Sequence, residues 1–321
     1  MPRLKTQAAK DNLLRRVRKQ RLNYITILPS LVTILNGVCG FAAIGLASKG
    51  AKLGIAQFSY FAMAGYMILL AMIADMLDGR LARMSKSTSS FGGQLDSLCD
   101  IISFGVAPAF LMLKVLEYKL DALAQLSPTL ADFLQRFFWL TAAAYISCAA
   151  IRLARFNVEN EEDESAHMSF MGLPTPAAAG VLVSLVIFHQ ETLPDLSAAH
   201  LHAYVICENT VIYSLPLLSL GLAVLMISRI RYPHILNQYI RGKKPFAHFI
   251  RVLLLLGLIV WSRQAALVLI FCGFAASGFV KWLYYKSFRK IDTRALPFNN
   301  AQQPALTAID GTDMPMQDQS S

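Results

Sequence analysis

Charge is what this sequence has little of. Only 16% of its 321 residues are Asp, Glu, Lys or Arg, against about a quarter in ordinary soluble domains. With 55% hydrophobic residues and a mean hydropathy of +0.46, that scarcity excludes a large soluble domain and favours a membrane protein. Cysteine is sparse as well. Cys39, Cys99, Cys148, Cys207 and Cys272 are odd in number, widely scattered and without CxxC or Cys/His spacing. This excludes a disulfide framework and a zinc site, so the five are expected to be free thiols among helices. His167 and His189 have no partner at ligand spacing and are read as non-catalytic. A cleaved leader is not expected either. The apolar segment Tyr24 to Ser48 exceeds the apolar core of a leader, about 7–15 residues, and should anchor the chain.

What the chain has instead is a series of long apolar runs. A bilayer core needs roughly 20 apolar residues per helix. By that measure the expected spans lie near 24–48, 53–77, 95–116, 134–156, 172–190, 211–229, 247–262 and 264–285. The fold class is therefore an all-α integral membrane protein with about eight transmembrane helices, and residues 191–210 are expected to form an external loop. Basic residues collect on one side of these spans: Arg80, Arg83 and Lys86, then Arg152 and Arg155, then Arg229, Arg231, Arg241, Lys243 and Lys244, then Lys281, Lys286, Arg289, Lys290 and Arg294. The opposite segments carry Glu117, Asp121, Asp132, Glu191 and Asp195. The positive-inside rule then puts both termini in the cytosol.

The formal net charge of +10 is also uneven, with eight basic residues between Arg3 and Arg21. A long apolar run follows this cluster, so anionic lipid headgroups are a better partner for it than nucleic acid. The arm reads equally as an amphipathic helix on the membrane surface or as a solvated segment. From about Pro297 the tail is rich in Gln, Asn, Asp, Pro and Ser, a composition expected to be disordered.

Chemistry concentrates where the second span ends and the third begins. Asp75 and Asp78 are three residues apart and Asp96 and Asp100 four apart, so each pair shares a helical face. A short connection makes the two helices antiparallel neighbours and brings four carboxylates together. Carboxylates at such depth are costly unless they line a polar cavity or hold a cation. An all-oxygen donor set suits a hard divalent ion such as Mg²⁺ or Mn²⁺, which typically clamps phosphate. Gly79 leaves room beside Asp78 for close approach to the backbone, and Arg83, one turn on, can reach a phosphate. A single intramembrane Asp often serves helix packing, but four at spacings of 3, 18 and 4, with Gly and Arg between them, do not fit that use. An ion-coupled transporter is the remote alternative; it calls for ionisable groups near the midplane of several helices, whereas these cluster at one end of two.

The full pattern, Asp75-x2-Asp78-Gly79-x2-Ala82-Arg83-x8-Gly92-x3-Asp96-x3-Asp100, resembles the signature of the CDP-alcohol phosphotransferases. The resemblance implies a six-helix core and a cytosolic active site. It implies that Asp75, Asp78 and Asp96 bind metal and the nucleotide pyrophosphate, with Gly79, Ala82, Arg83 and Gly92 on the pyrophosphate side. Asp100 would be the catalytic base and share the metal. The chain then divides into a basic arm (1–23), a six-helix catalytic core (24–229), two additional helices (230–290) and a disordered tail (291–321).

Three further stretches, PSLVTILNGVCGFAAI in the first span, IRLARFN (Ile151 to Asn157) and FMGLPTPAAAG (Phe170 to Gly180), are similar to the membrane-type phosphatidylserine synthases. That similarity implies CDP-diacylglycerol and L-serine as substrates, a homodimer, and a bacterial inner membrane. It also implies Thr33 and Asn36 as nucleotide-side contacts. Arg152 and Arg155 are candidates to hold a serine carboxylate, against the plain alternative of the positive-inside rule. Asn157 would either bind the acceptor or cap the helix, and Pro174 and Pro176 would start span five. The run Glu159, Glu161, Glu162, Asp163 and Glu164 reads as a solvated loop. The same chemistry with glycerol 3-phosphate, inositol phosphate or choline is the alternative.

Overall fold

The computed structural model describes residues 30–51, 58–85, 90–125, 127–162, 170–192, 201–228, 230–232 and 262–292. The basic arm, nearly all of the span expected over 247–262, His167 and the tail from residue 293 lie outside them. The chain divides into two units, Met1–Trp282 and Leu283–Ser321; of the second, the described part is helical backbone through Asp292.

Long apolar runs give long helices. They are α1 (Ser30–Ala47), α2 (Tyr60–Ser85), α3 (Ser90–Asp100), α4 (Ala107–Ala124), α5 (Pro128–Glu162), α6 (Thr175–Ile187), α7 (Leu201–Ile227) and α8 (Arg263–Asp292). Helix α7 continues through Pro216 in its interior. π-helical turns over Ile101–Val106 join α3 to α4, and similar turns over Phe188–Thr192 extend α6. Among the described residues, six helical segments are long and apolar enough to cross a membrane: Ser30–Ala47, Tyr60–Leu81, Phe91–Asp121, Pro128–Val158, Ile206–Ile227 and Arg263–Tyr284. The molecule is an integral membrane protein.

Several elements run past their expected ends. Helix α2 continues to Ser85 and α3 starts at Ser90, so both aspartate pairs sit on regular helix. Helix α5 continues through Glu162; the first half of the acidic run is helical backbone rather than loop, because Glu is a good helix former and no Gly or Pro intervenes. Half of the expected external loop 191–210 belongs to α7.

Helix α6 occupies the centre. Alone it is shorter than a span, and from Ala177 to Ile187 every residue is buried, as expected for a helix that is apolar all round. Small residues let neighbours approach closely: a Cβ at Gly180 would run into the Phe271 ring of α8, and one at Gly65 of α2 into Ile187. The entry to α6 is pinned from outside. Phe170–Met171 (β1) pairs antiparallel with Arg231–Tyr232 (β2), in the register Phe170↔Tyr232 and Met171↔Arg231. Gly172, at φ +78°, turns the chain with a conformation that other residues rarely adopt. Its N–H donates to Ile230 O at 2.9 Å and Leu173 N–H to Leu225 O at 3.0 Å.

Candidate active site

The site begins with how closely α1 lies against α3. Thr33, Asn36, Gly37 and Gly40 share one face of α1 by their i, i+3, i+4, i+7 spacing. A Cβ at Gly37 would touch Cys99 Sγ at 3.0 Å, and one at Gly40 would collide with the Oγ and Cα of Ser103. That closeness puts Thr33 and Asn36 within hydrogen-bond reach of the acidic residues. Thr33 Oγ1 donates to Asp78 Oδ2 at 2.7 Å, and Asn36 Nδ2 donates to Asp100 Oδ1 at 2.9 Å. The two residues expected on the nucleotide side are therefore also the groups that orient two of the carboxylates.

The π-helical turns after Asp100 are stabilised by side chains. Ser103 Oγ donates to the Asn36 carbonyl at 2.9 Å, and the fully buried Tyr145 of α5 donates its hydroxyl to Phe104 O at 3.2 Å. A π turn breaks the regular hydrogen-bond ladder and is found disproportionately at functional sites. Here it fixes the end of the helix that carries Asp96 and Asp100.

Asp75, Asp78 and Asp96 each bring one carboxylate oxygen within 4.8 Å of the others. Asp100 stands outside that trio, held by Asn36, but within electrostatic reach of all three. Two unit charges about 5 Å apart repel by roughly 3 kcal/mol at an effective dielectric constant of about 20. Four carboxylates this close, Asp78 and Asp100 buried and Asp75 and Asp96 half-buried, therefore carry a repulsion that a divalent cation relieves. Among the described residues, Asp96 Oδ1 is buried without a hydrogen-bond partner, a further sign that this donor set fits a metal ion. Beside it, a Cβ on Gly79 would meet nothing within 4 Å, so the backbone next to Asp78 is open to approach. Gly92 lies in the first turn of α3. Ala82 and Arg83 continue α2, and their side chains lie outside the described residues.

The three residues expected at the acceptor fare differently. Arg152 is buried, donates from Nη1 to Thr175 Oγ1 at 3.1 Å, has no partner for Nε among the described residues and feels the charge of Asp100. Arg155 donates instead to the Ile227 carbonyl at the end of α7, at 3.2 Å, where a cation also meets the helix dipole favourably. Asn157 donates from Nδ2 to Ser97 Oγ at 2.8 Å and so ties α5 to the residue after Asp96. Pro174 and Pro176 flank the first residue of α6 as expected. Sequence reasoning missed Ser97, Ser103, Tyr145 and Thr175, since no spacing pattern links any of them to its partner on another helix. The described cysteines are free thiols. His189 is buried with Nε2 3.8 Å from Glu208, away from the aspartates on the far side of the bundle.

Known proteins of one family resemble this chain over most of its length. Residues 26–225 match the family model described as CDP-alcohol phosphatidyltransferase. A protein of Helicobacter pylori named CDP-diacylglycerol–serine O-phosphatidyltransferase is 32% identical over 265 residues, covering 82% of this chain and 94% of that protein. Proteins of the same name from Methanocaldococcus jannaschii (32% identical; 67% of this chain, 77% of that protein) and Bacillus subtilis (29%; 66% and 92%) are similar.

Proposed function

This chain belongs to the CDP-alcohol phosphatidyltransferase family, and from that premise we propose that it transfers the phosphatidyl group of CDP-diacylglycerol to L-serine, giving phosphatidylserine and CMP. The observation that carries the reading is the convergence of Asp75, Asp78, Asp96 and Asp100 at one end of two neighbouring helices, in a chain whose similar proteins bear the serine transferase name.

Asp75, Asp78 and Asp96 are the residues that would hold a divalent cation, with Asp100 able to share it. When bound, such a cation neutralises charge on the pyrophosphate. We assign the proton transfer to Asp100, whose orientation is supported by the 2.9 Å hydrogen bond from Asn36. The serine hydroxyl oxygen attacks the phosphatidyl phosphorus, its proton passes to Asp100, and the bond to the CMP oxygen breaks. Among the described residues no Ser, Cys or His is hydrogen-bonded to an aspartate of the site as an activated nucleophile would be, which favours direct attack. Thr33, Asn36, Gly79, Ala82, Arg83 and Gly92 take the nucleotide side. Arg152 holds the serine carboxylate, with Arg155 and Asn157 supporting the wall of that pocket from their contacts with α7 and α3.

Mg²⁺ or Mn²⁺ is the metal this donor chemistry suits. The basic segments favour a cytosolic site in an inner membrane, with cytosolic termini and a homodimeric enzyme. The core would run from 24 to 229, preceded by the basic arm and followed by two accessory helices and a disordered tail. The test is the product itself: purified protein in lipid nanodiscs given CDP-diacylglycerol and isotope-labelled serine should place the label in a lipid identified by mass as phosphatidylserine. Label that stays in the aqueous phase, while glycerol 3-phosphate, inositol phosphate or choline is incorporated, would retain the chemistry and overturn the acceptor.

A further inference from the structure

We infer that Thr175 is a positioning residue for the acceptor, acting through Arg152. This rests on the reading of Arg152 as the carboxylate-binding group. A guanidinium has five N–H donors in a rigid fork, and leaving them unsatisfied in a buried site is costly. Arg152 is 9% exposed and Thr175 is 1% exposed, so water does little to orient either. Among the described residues, the side-chain hydrogen bond that Arg152 makes runs from Nη1 to Thr175 Oγ1, at 3.1 Å, and Nε has no partner.

That choice of nitrogen matters. In a guanidinium, Nε–H and the N–H of the terminal nitrogen on its side point the same way and grip a carboxylate bidentately. Nη1 lies on the other edge, so the bond to Thr175 leaves the bidentate edge for a ligand. It also stops the fork from rotating about its long, flexible stem. The electrostatic pull of Asp100 on Arg152 would otherwise draw the guanidinium toward the aspartate.

Thr175 is itself held in place. It is the first residue of α6, between Pro174 and Pro176, both of which limit the backbone to φ near −65°. Just upstream, Gly172 and Leu173 are hydrogen-bonded to Ile230 and Leu225. The hydroxyl thus sits on a short, rigid piece of chain anchored to α7, and Arg152 is aimed from there. Val at 175 keeps the β-branched shape and removes the acceptor oxygen; Ser restores the oxygen without the methyl.

The experiment is steady-state kinetics of wild type, Thr175→Val and Thr175→Ser in nanodiscs, varying serine and CDP-diacylglycerol separately. Thr175→Val should raise the serine KM about tenfold, leave the CDP-diacylglycerol KM within twofold and lower kcat less than threefold. Thr175→Ser should recover most of the serine KM. In an Arg152→Lys background, which lacks the planar fork, Thr175→Val should add almost nothing, because the two act as one unit. A serine KM unchanged in Thr175→Val, or an equal penalty in the Arg152→Lys background, overturns the inference while wild-type serine turnover still stands. Wild type that shows no serine-dependent turnover would instead overturn the function on which it rests. Should Thr175→Val not fold, Thr175→Ala supplies the same comparison.

Discussion

Asp100 and Asn36 show most plainly how single residues share the work. The carboxylate at 100 stands beside three others, within their electrostatic reach, and its orientation comes from a neutral amide on another helix. Asp100→Asn removes the proton acceptor while keeping the shape. We predict a fall in kcat of about 10²–10⁴-fold, the usual contribution of a positioned base, with CDP-diacylglycerol binding retained. Single-turnover CMP release together with equilibrium binding of the liponucleotide checks both halves. Asn36→Leu should cost less, about tenfold in kcat, since it disturbs the orientation of the base and leaves its chemistry. The aspartates were legible in the sequence because their spacing falls on helical faces. Asn36 was legible only as a nucleotide contact, since no periodicity pairs residue 36 with residue 100.

At the scale of elements, the closeness of α1 to α3 and the π turns beyond Asp100 decide whether those residues meet. Gly40 has Ser103 where its side chain would be. Gly40→Ala should force the helices apart, cost about 1–3 kcal/mol as other overpacked contacts do, and lower activity at least tenfold; thermal unfolding and CMP release read the two effects. Tyr145→Phe leaves Phe104 O without its hydroxyl donor and should destabilise by about 1–3 kcal/mol, measured by thermal or denaturant unfolding in detergent. Hydropathy placed the helices well but not their ends. The polar ends of α2 and α5 extend past the apolar windows because charged residues such as Arg83 and Glu162 are good helix formers. The one local sign of the π turns is Pro108, which has no N–H for the Phe104 carbonyl four residues back; the donor to that carbonyl that no local pattern announces is Tyr145, forty-one residues away.

Across the whole molecule the two ends of the bundle differ in purpose. One end gathers Thr33, Asn36, the four aspartates, Arg152 and Thr175. The other is closed by polar links between helices. Tyr66 of α2 and Gln264 of α8 both donate to Glu191 Oε2, each at 2.7 Å, and Lys119 of α4 pairs with Glu208 of α7. Tyr66 and Asp78 are separated by about 18 Å along α2, at 1.5 Å per residue. Glu191→Ala should therefore lower the melting temperature by several degrees while kcat stays within twofold of wild type. The sequence had marked Glu191 only as part of an acidic external loop, because a link joining three separate helices has no local pattern to read.

Transfer of a phosphatidyl group to serine at the four-aspartate centre releases CMP, so serine-dependent CMP release is the measurement that decides it. Purified protein in nanodiscs, with CDP-diacylglycerol and Mg²⁺ or Mn²⁺, is assayed for CMP with and without serine, before and after chelation, beside an Asp78→Asn variant. Release is expected to require serine, disappear with chelator, return with added metal and be absent in the variant. CMP release that persists in Asp78→Asn, or no release from folded wild-type protein with any acceptor, would contradict it.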